Sequence, residues 1–232
     1  MENVDYQKQY LEKTKRLSSY LLLVPFIRGI ILNGSLAIGD AKMSSDIDLL
    51  IVAKYPHIFT VRFFANLIIT LLGEKRPKDE SKSHAGKFCL NYFMTENSLE
   101  IPIGRGEKID QYCADNYINS RLVWAENPSL FDKFKNQNKV LFNKARKIVQ
   151  FDPINLSSVE NTFSPVVFYI IRKTGEWILG GLFGNYFERQ IKRFQISMIE
   201  RDPRTKRYPD LIIYNDRALL FHPPKKSSVP EI

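Results

Sequence analysis

The sequence predicts an α+β protein: a mixed β-sheet with flanking helices, followed by a helical region and a small C-terminal β-hairpin. Three observations lead there. Short apolar runs at residues 26–32, 46–52 and 88–95 have strand composition. Apolar residues recur at helical spacing between these runs and across much of the second half. Near its end the chain carries two short apolar runs, 211–214 and 218–221, on either side of Asn215-Asp216, which is hairpin-turn chemistry.

Residues 5–23 read as a helix. Tyr6, Tyr10, Leu17 and Leu21 are among its apolar positions, charges lie between them, and Pro25 closes it, because the residue before a proline is driven out of the helical region. The run 26–32, with Ile27, Ile30 and Ile31, is a buried strand leading into the turn Asn33-Gly34. Residues 36–42 are too short and too interrupted by glycine to read as a helix. The run 46–52, DIDLLIV, is the clearest strand, since its last residues are continuously apolar. Between 56 and 72, Phe59, Phe63, Phe64, Leu67, Ile68, Leu71 and Leu72 fall on a helical face, and Gly73 is placed to stop it. The lysine-rich stretch 74–87 is a loop, and 88–95 returns as a strand beside 46–52.

Beyond Gly104-Arg105-Gly106 helical patterns take over at 108–119, 129–149 and 164–200, the last broken around Gly180, Gly181 and Gly184. Trp124 and Trp177 lie in these helical regions and are expected to pack. Residues from Lys225 onward read as a frayed tail. The change of pattern divides the chain into domains 1–106 and 107–232.

An excess of 34 Lys and Arg over 25 Asp and Glu gives a net charge of +9, which favours phosphate-rich partners such as nucleotides or nucleic acid; solubility alone is the plainer reading. Cys89 and Cys113 lie far apart without a CxxC, so neither a disulfide framework nor a zinc site is expected, and a cytoplasmic setting fits. The polar first residues carry no secretory pattern. The most apolar later stretch, 162–184, is interrupted by Arg172, Lys173 and Glu176, which argues against a membrane span.

One segment carries chemistry. Gly34-Ser35 is followed, after a spacer of about ten residues, by Asp46-Ile47-Asp48 at the head of an apolar strand. Residues two apart on a strand project from one face, so Asp46 and Asp48 converge. Adjacent carboxylates repel unless a cation joins them, and hard divalent ions bind through one or two carboxylates together with substrate phosphates. Gly34 lets backbone approach a phosphate closely, and the Ser35 hydroxyl and nearby amides can donate to phosphate oxygens. A solvated strand edge and an ordinary turn are the alternative for these four residues.

Taken together at this spacing, Gly34, Ser35, Asp46 and Asp48 resemble the signature of the DNA polymerase β-like nucleotidyltransferase superfamily. The resemblance covers about the first hundred residues. It implies the polymerase β-like nucleotidyltransferase fold, with Asp46 and Asp48 as catalytic residues and ligands of Mg²⁺ or Mn²⁺ in a two-metal site, and Gly34 and Ser35 as the seat of the incoming nucleoside triphosphate. It also implies transfer of a nucleoside monophosphate to an acceptor hydroxyl. Members of the superfamily usually carry a third carboxylate on a neighbouring strand, and here the matching position falls on Asn91. An amide brings no charge and is a poor base. Glu96 and Glu100 fall on the opposite face by strict alternation unless a bulge intervenes. A catalytically impaired nucleotide- or RNA-binding relative is therefore the alternative to an enzyme.

The densest basic feature joins Arg189, Lys192 and Arg193 to Arg201, Arg204, Lys206 and Arg207, with Tyr186, Phe187, Phe194 and Tyr208 interleaved. It suits an RNA strand held by phosphate contacts and stacking, or an amphipathic helix whose aromatics pack in a core. His84 and Lys87 could contact a phosphate or be solvated, and Asp40 reads as a loop-capping residue.

Overall fold

A computed structural model describes residues 5–77, 79, 81–104, 106–146, 148, 165–209 and 211–221; the tail from Lys225 lies outside these. Its centre is a six-stranded mixed sheet in the order β4-β1-β2-β3-β6-β5. β1 (Ile27–Asn33) lies antiparallel to β2 (Ile47–Ala53), and β2 lies parallel to β3 (Phe88–Thr95). β4 (Arg121–Ala125) pairs with β1, while β5 (Ile213–Tyr214) and β6 (Ala218–Leu220) form the hairpin that docks on β3. Strands from both sides of Gly106 share this sheet, β1–β3 from before it and β4–β6 from after it.

Alternation along the strands sends side chains into two cores. Ile30, Leu32, Leu49 and Ile51 pack with Tyr10, Leu17 and Leu21 of α1 (Tyr6–Leu21) and Phe59, Ala65 and Ile69 of α3 (Ile58–Leu71). Ile31, Leu50 and Val52 pack on the other side with Cys113, Ala114 and Tyr117 of α4 (Glu107–Tyr117), Leu130 and Phe134 of α5 (Leu130–Gln137), and Leu141 and Phe142 of α6 (Lys139–Phe142). Asp48 shares its parity with Leu50 and Val52, so it faces the α4 side.

Five details differ from the sequence reading. Residues 34–37, where no helix was expected, form the single turn α2 (Gly34–Ala37), and Asp46 stands just ahead of β2 rather than inside it. The helix expected over 129–149 is broken at Asn138, whose buried side chain accepts from Ile101 N (2.7 Å) and donates to Leu99 O (2.7 Å) and Phe134 O (2.8 Å). Trp124 lies in strand β4, not in a helix. Trp177 does lie in a helix, α7 (Pro165–Ile178), but is 83% exposed rather than packed.

That last departure reflects an inverted helix. α7 turns its charges inward: the Glu176 carboxylate accepts from Arg28 Nη1 (2.7 Å) and Phe26 N (3.1 Å), and Arg172 and Lys173 reach Glu126 (3.2 and 3.0 Å). Tyr169, Ile170, Ile171 and Ile178 join Trp177 on its exposed surface. The next helix, α8 (Leu182–Arg201), packs on α3, where Glu188 accepts from Phe59 N (3.0 Å) and Thr60 N (2.9 Å), two amides of the first turn. α9 (Pro203–Arg207) follows, capped by Asp202. No helix among the described residues is long and apolar enough to cross a membrane.

Candidate active site

Four elements meet where β1 ends and β2 and β3 begin. Asn33, the last residue of β1, lies opposite Asp48. Gly34 then turns the chain at φ +70° into α2. A Cβ on Gly34 would lie 2.5 Å from Asp48 Oδ2, so only glycine gives both the left-handed backbone and room for the carboxylate. The Ser35 hydroxyl contacts the Ser45 hydroxyl at 3.2 Å, which fastens α2 to the segment just before Asp46. Helix α1 holds the intervening spacer: Gln7 Nε2 donates to Leu36 O (2.9 Å), Gln7 Oε1 accepts from Ala41 N (3.2 Å), and the Tyr10 hydroxyl donates to Met43 O (2.8 Å).

Gly34, Asp46 and Asp48 are thus brought together, with Ser35 behind them. The third group is Cys89. Its sulfur and one oxygen from each of Asp46 and Asp48 lie within 4.8 Å of one another, a spacing at which the three could hold a metal ion. The resemblance pointed to Asn91 as the position matching the superfamily's third carboxylate. Asp48 pairs with Cys89 and Leu50 with Tyr92, so β3 carries one more residue than β2 over this interval. That bulge breaks the alternation. Asn91 lies beside these three side chains, its Nδ2 donating to Cys89 Sγ. Glu96 lies at the far end of the sheet, where it faces Arg28 at 3.8 Å.

The surroundings are polar but largely shielded. Burial, and then the charges of Asp48 and Asp46, push the Cys89 thiol well above its ordinary pKa, so it rests as a neutral thiol. Burial, with Asp48 next, lifts Tyr112 to about 12, which keeps its phenol a donor. Tyr112 and Asn116, one turn apart on α4, line a cleft with Gly34, Asp48, Tyr92 and Tyr117. Asn33 is fixed against Ser120, the two side chains 2.5 Å apart.

Sequence reasoning missed four members of this site. Cys89 carried no metal-ligand spacing, and Tyr112 and Asn116 carried only the signal of a shared helical face. Arg76 was one cation in a lysine-rich loop, yet its Nη1 lies 2.7 Å from Asp46 Oδ2 and 3.5 Å from Cys89 Sγ. The other basic candidates of that loop are engaged elsewhere. Lys87 donates to Gly73 O (2.7 Å) and Glu74 (3.2 Å), and His84 Nε2 lies 3.3 Å from Asp79 O. Asp40 is exposed, its amide donating to Ser35 O (2.9 Å).

Residues 8–115 match the family model described as nucleotidyltransferase domain. Over these residues the chain is similar to a nucleotidyltransferase domain. The match takes in α1, the Gly34–Ser35 turn, both aspartates, Cys89 and most of α4, and agrees with the polymerase β-like resemblance and the α+β mixed sheet. Comparison with the curated proteins and with the solved structures finds no match. The matched residues contain Gly34, Ser35, Asp46, Asp48, Arg76, Cys89 and Tyr112, while Asn116 and Tyr117 of the cleft lie just beyond them.

Proposed function

We propose that the protein is a metal-dependent nucleotidyltransferase that moves a nucleoside monophosphate from a nucleoside triphosphate to an acceptor hydroxyl, with RNA as the acceptor class its charge favours. The observation that carries this is the convergence of Asp46, Asp48 and Cys89 within 4.8 Å, directly beneath the Gly34 turn and within residues similar to a nucleotidyltransferase domain. In this reading Asp46 and Asp48 are catalytic residues and hold Mg²⁺ or Mn²⁺, with Cys89 as the third ligand. A sulfur donor favours the softer ion of the two. A bound divalent ion supplies charge neutralisation of the triphosphate and of the attacking and leaving oxygens, and a pair of ions about 4 Å apart does so most fully.

The chain's own groups do the rest. Gly34 and Ser35 offer amides and a hydroxyl to the phosphates at a turn with no side chain in the way. Tyr112 and Asn116 add a phenol and an amide on the α4 wall. The acceptor oxygen forms its bond to the α-phosphorus as the bond to the bridging oxygen of pyrophosphate breaks, and the acceptor proton passes to the carboxylate pair. Basic residues on α8, where Arg189, Lys192 and Arg193 share a shallow depression, suit the phosphates of a nucleic-acid acceptor.

A second reading has its own observation. Cys89 and Asn91 stand where a third carboxylate is usual, and a neutral thiol and an amide are weak bases. This favours a nucleotide- or RNA-binding relative with impaired turnover. Incubating the protein with each α-labelled triphosphate, total RNA, and Mg²⁺ or Mn²⁺ separates the two, with an Asp46→Asn, Asp48→Asn double variant alongside. Label transfer that disappears in the double variant supports the enzyme. Transfer unchanged in the variant sinks the site, and binding without transfer favours the second reading.

A further inference from the structure

Arg76 is held in place by backbone rather than by its side chain. Residues 74–76 run alongside the start of β3: Phe88 N donates to Glu74 O (2.8 Å), and Arg76 N donates to Phe88 O (2.9 Å). Glu74 itself is pinned by Lys13 (2.7 Å) and Lys87 (3.2 Å), so the segment is tied to α1 as well. This register aims the Arg76 guanidinium at Asp46 and Cys89, two of the three groups that could hold a metal ion. A guanidinium donating to that oxygen at 2.7 Å opposes a divalent cation arriving at the same carboxylate, since two positive charges then stand on one small acceptor.

A second guanidinium comes from the C-terminal half. Arg204, on α9, is aligned by Asp202 through Nε–Oδ1 (3.0 Å) and Nη2–Oδ2 (2.9 Å) contacts and is half exposed. It lies near enough to Arg76 for the two positive charges to oppose each other. Two guanidinium groups held near each other repel unless an anion comes between them, and planar forks suit phosphate oxygens. Asp46 supplies that anion to Arg76 for as long as it is not needed as a ligand.

We propose that Arg76 and Arg204 form a polyphosphate seat beside the aspartate pair, and that Arg76 is a resident counter-cation of Asp46 that turns to the phosphates when a divalent ion claims the carboxylate. The proposal rests on the metal–triphosphate reading of the site. It explains how two acidic side chains and a thiol stay together before any ligand arrives. It also makes metal and phosphate binding cooperative, because each removes the partner that would oppose the other.

The test uses the full chain, Mn²⁺ alone, and inorganic triphosphate at saturating Mn²⁺, with both affinities measured by calorimetry. Arg76→Ala is expected to bind Mn²⁺ about tenfold more tightly, because its competitor is gone, and to bind triphosphate about tenfold more weakly or worse. Arg76→Lys, which keeps a charge but not the fork, should fall between wild type and Arg76→Ala on both axes. Arg204→Ala should weaken triphosphate binding and leave Mn²⁺ affinity unchanged. Melting curves of each variant establish that it is folded. Unchanged or weaker Mn²⁺ binding in folded Arg76→Ala overturns the counter-cation role, and triphosphate binding indifferent to both arginines overturns the seat. If wild type binds neither probe, the metal–triphosphate reading fails and this inference fails with it. Binding by wild type without the opposed shifts removes the inference alone.

Discussion

At the scale of single residues the site is set by how closely Gly34 approaches Asp48. A side chain at position 34 meets two independent penalties. The left-handed backbone at φ +70° costs a non-glycine residue about 1–2 kcal/mol, and the new Cβ would press on Asp48 Oδ2 at 2.5 Å. Gly34→Ala should therefore lower stability by about 1–2 kcal/mol in urea titrations. By displacing a metal-binding carboxylate it should also cut nucleotidyl transfer about a hundredfold, since misplacing a reacting group by an ångström costs that much. Transfer within threefold of wild type would remove Gly34 from the site. Much at this scale was legible beforehand, because Gly34, Ser35, Asp46 and Asp48 are near one another in sequence and their types state their chemistry. Cys89 was not legible, because one sequence does not reveal which β3 residue lies opposite Asp48, and a lone cysteine carries no metal-ligand spacing; the extra residue of β3 comes after it, between Cys89 and Tyr92. Arg76 was hidden for a different reason: its aim comes from a short backbone pairing with Phe88, and a lysine-rich loop gives no periodicity from which to infer one.

At the scale of elements the strands within residues 8–115 were readable from their apolar runs, and the failures occurred where tertiary contacts override pattern. β4 is five residues long and sits among helices, too brief to announce itself. α7 has ample apolar character, yet it docks through charge. Arg28 and Glu176 are both nearly buried, 10% and 11% exposed at the side chain, and Arg28 also meets Glu126 at 3.0 Å. Burial alone would raise the Glu176 pKa, but hydrogen bonds from Arg28 and Lys173 bring it below the ordinary value. Removing one member of a buried pair leaves the other charge poorly compensated, a loss of about 3–5 kcal/mol. Because Glu126 still faces Arg28, Glu176→Ala should fall at the low end, about 3 kcal/mol, and Phe26 N also loses its acceptor. Glu176→Gln, which keeps an acceptor, should lose less. Chemical denaturation measures both, and a loss under 1 kcal/mol for the alanine variant would mean that α7 is held by its few apolar contacts instead.

At the scale of the whole molecule these local arrangements combine into one dependence on pH. His57 stands at the N-terminal end of α3 with its ring stacked on Phe26, centroids 3.7 Å apart and planes 10° from parallel. Burial, and after it the charges of Lys54 and Arg28, depress its pKa from 6.5 to about 4, against a smaller opposing influence of Glu176. The folded protein thus binds fewer protons than the unfolded chain between those two values, so stability is held above pH 6.5 and declines as pH falls toward 4. A displacement of this size corresponds to about 3 kcal/mol as an upper bound. Two carboxylates act in the same direction but lower on the scale, while Glu188, raised by burial, acts against them. Glu74 and Glu176, both depressed below 4.5 by their lysine and arginine partners, begin to withdraw their stabilisation only as pH falls below that value. Melting temperature should therefore fall in two stages, first between pH 6.5 and 4 and then more steeply below about 4.5, the two overlapping near pH 4. His57→Phe keeps a ring on Phe26 and cannot titrate, so it should flatten the first stage and leave the second in place. A wild-type melting temperature that is level from pH 7 to 5 would mean that His57 accepts its proton without cost, and that the cluster at this end of the sheet is open to solvent as α3, α7 and α8 pack around it.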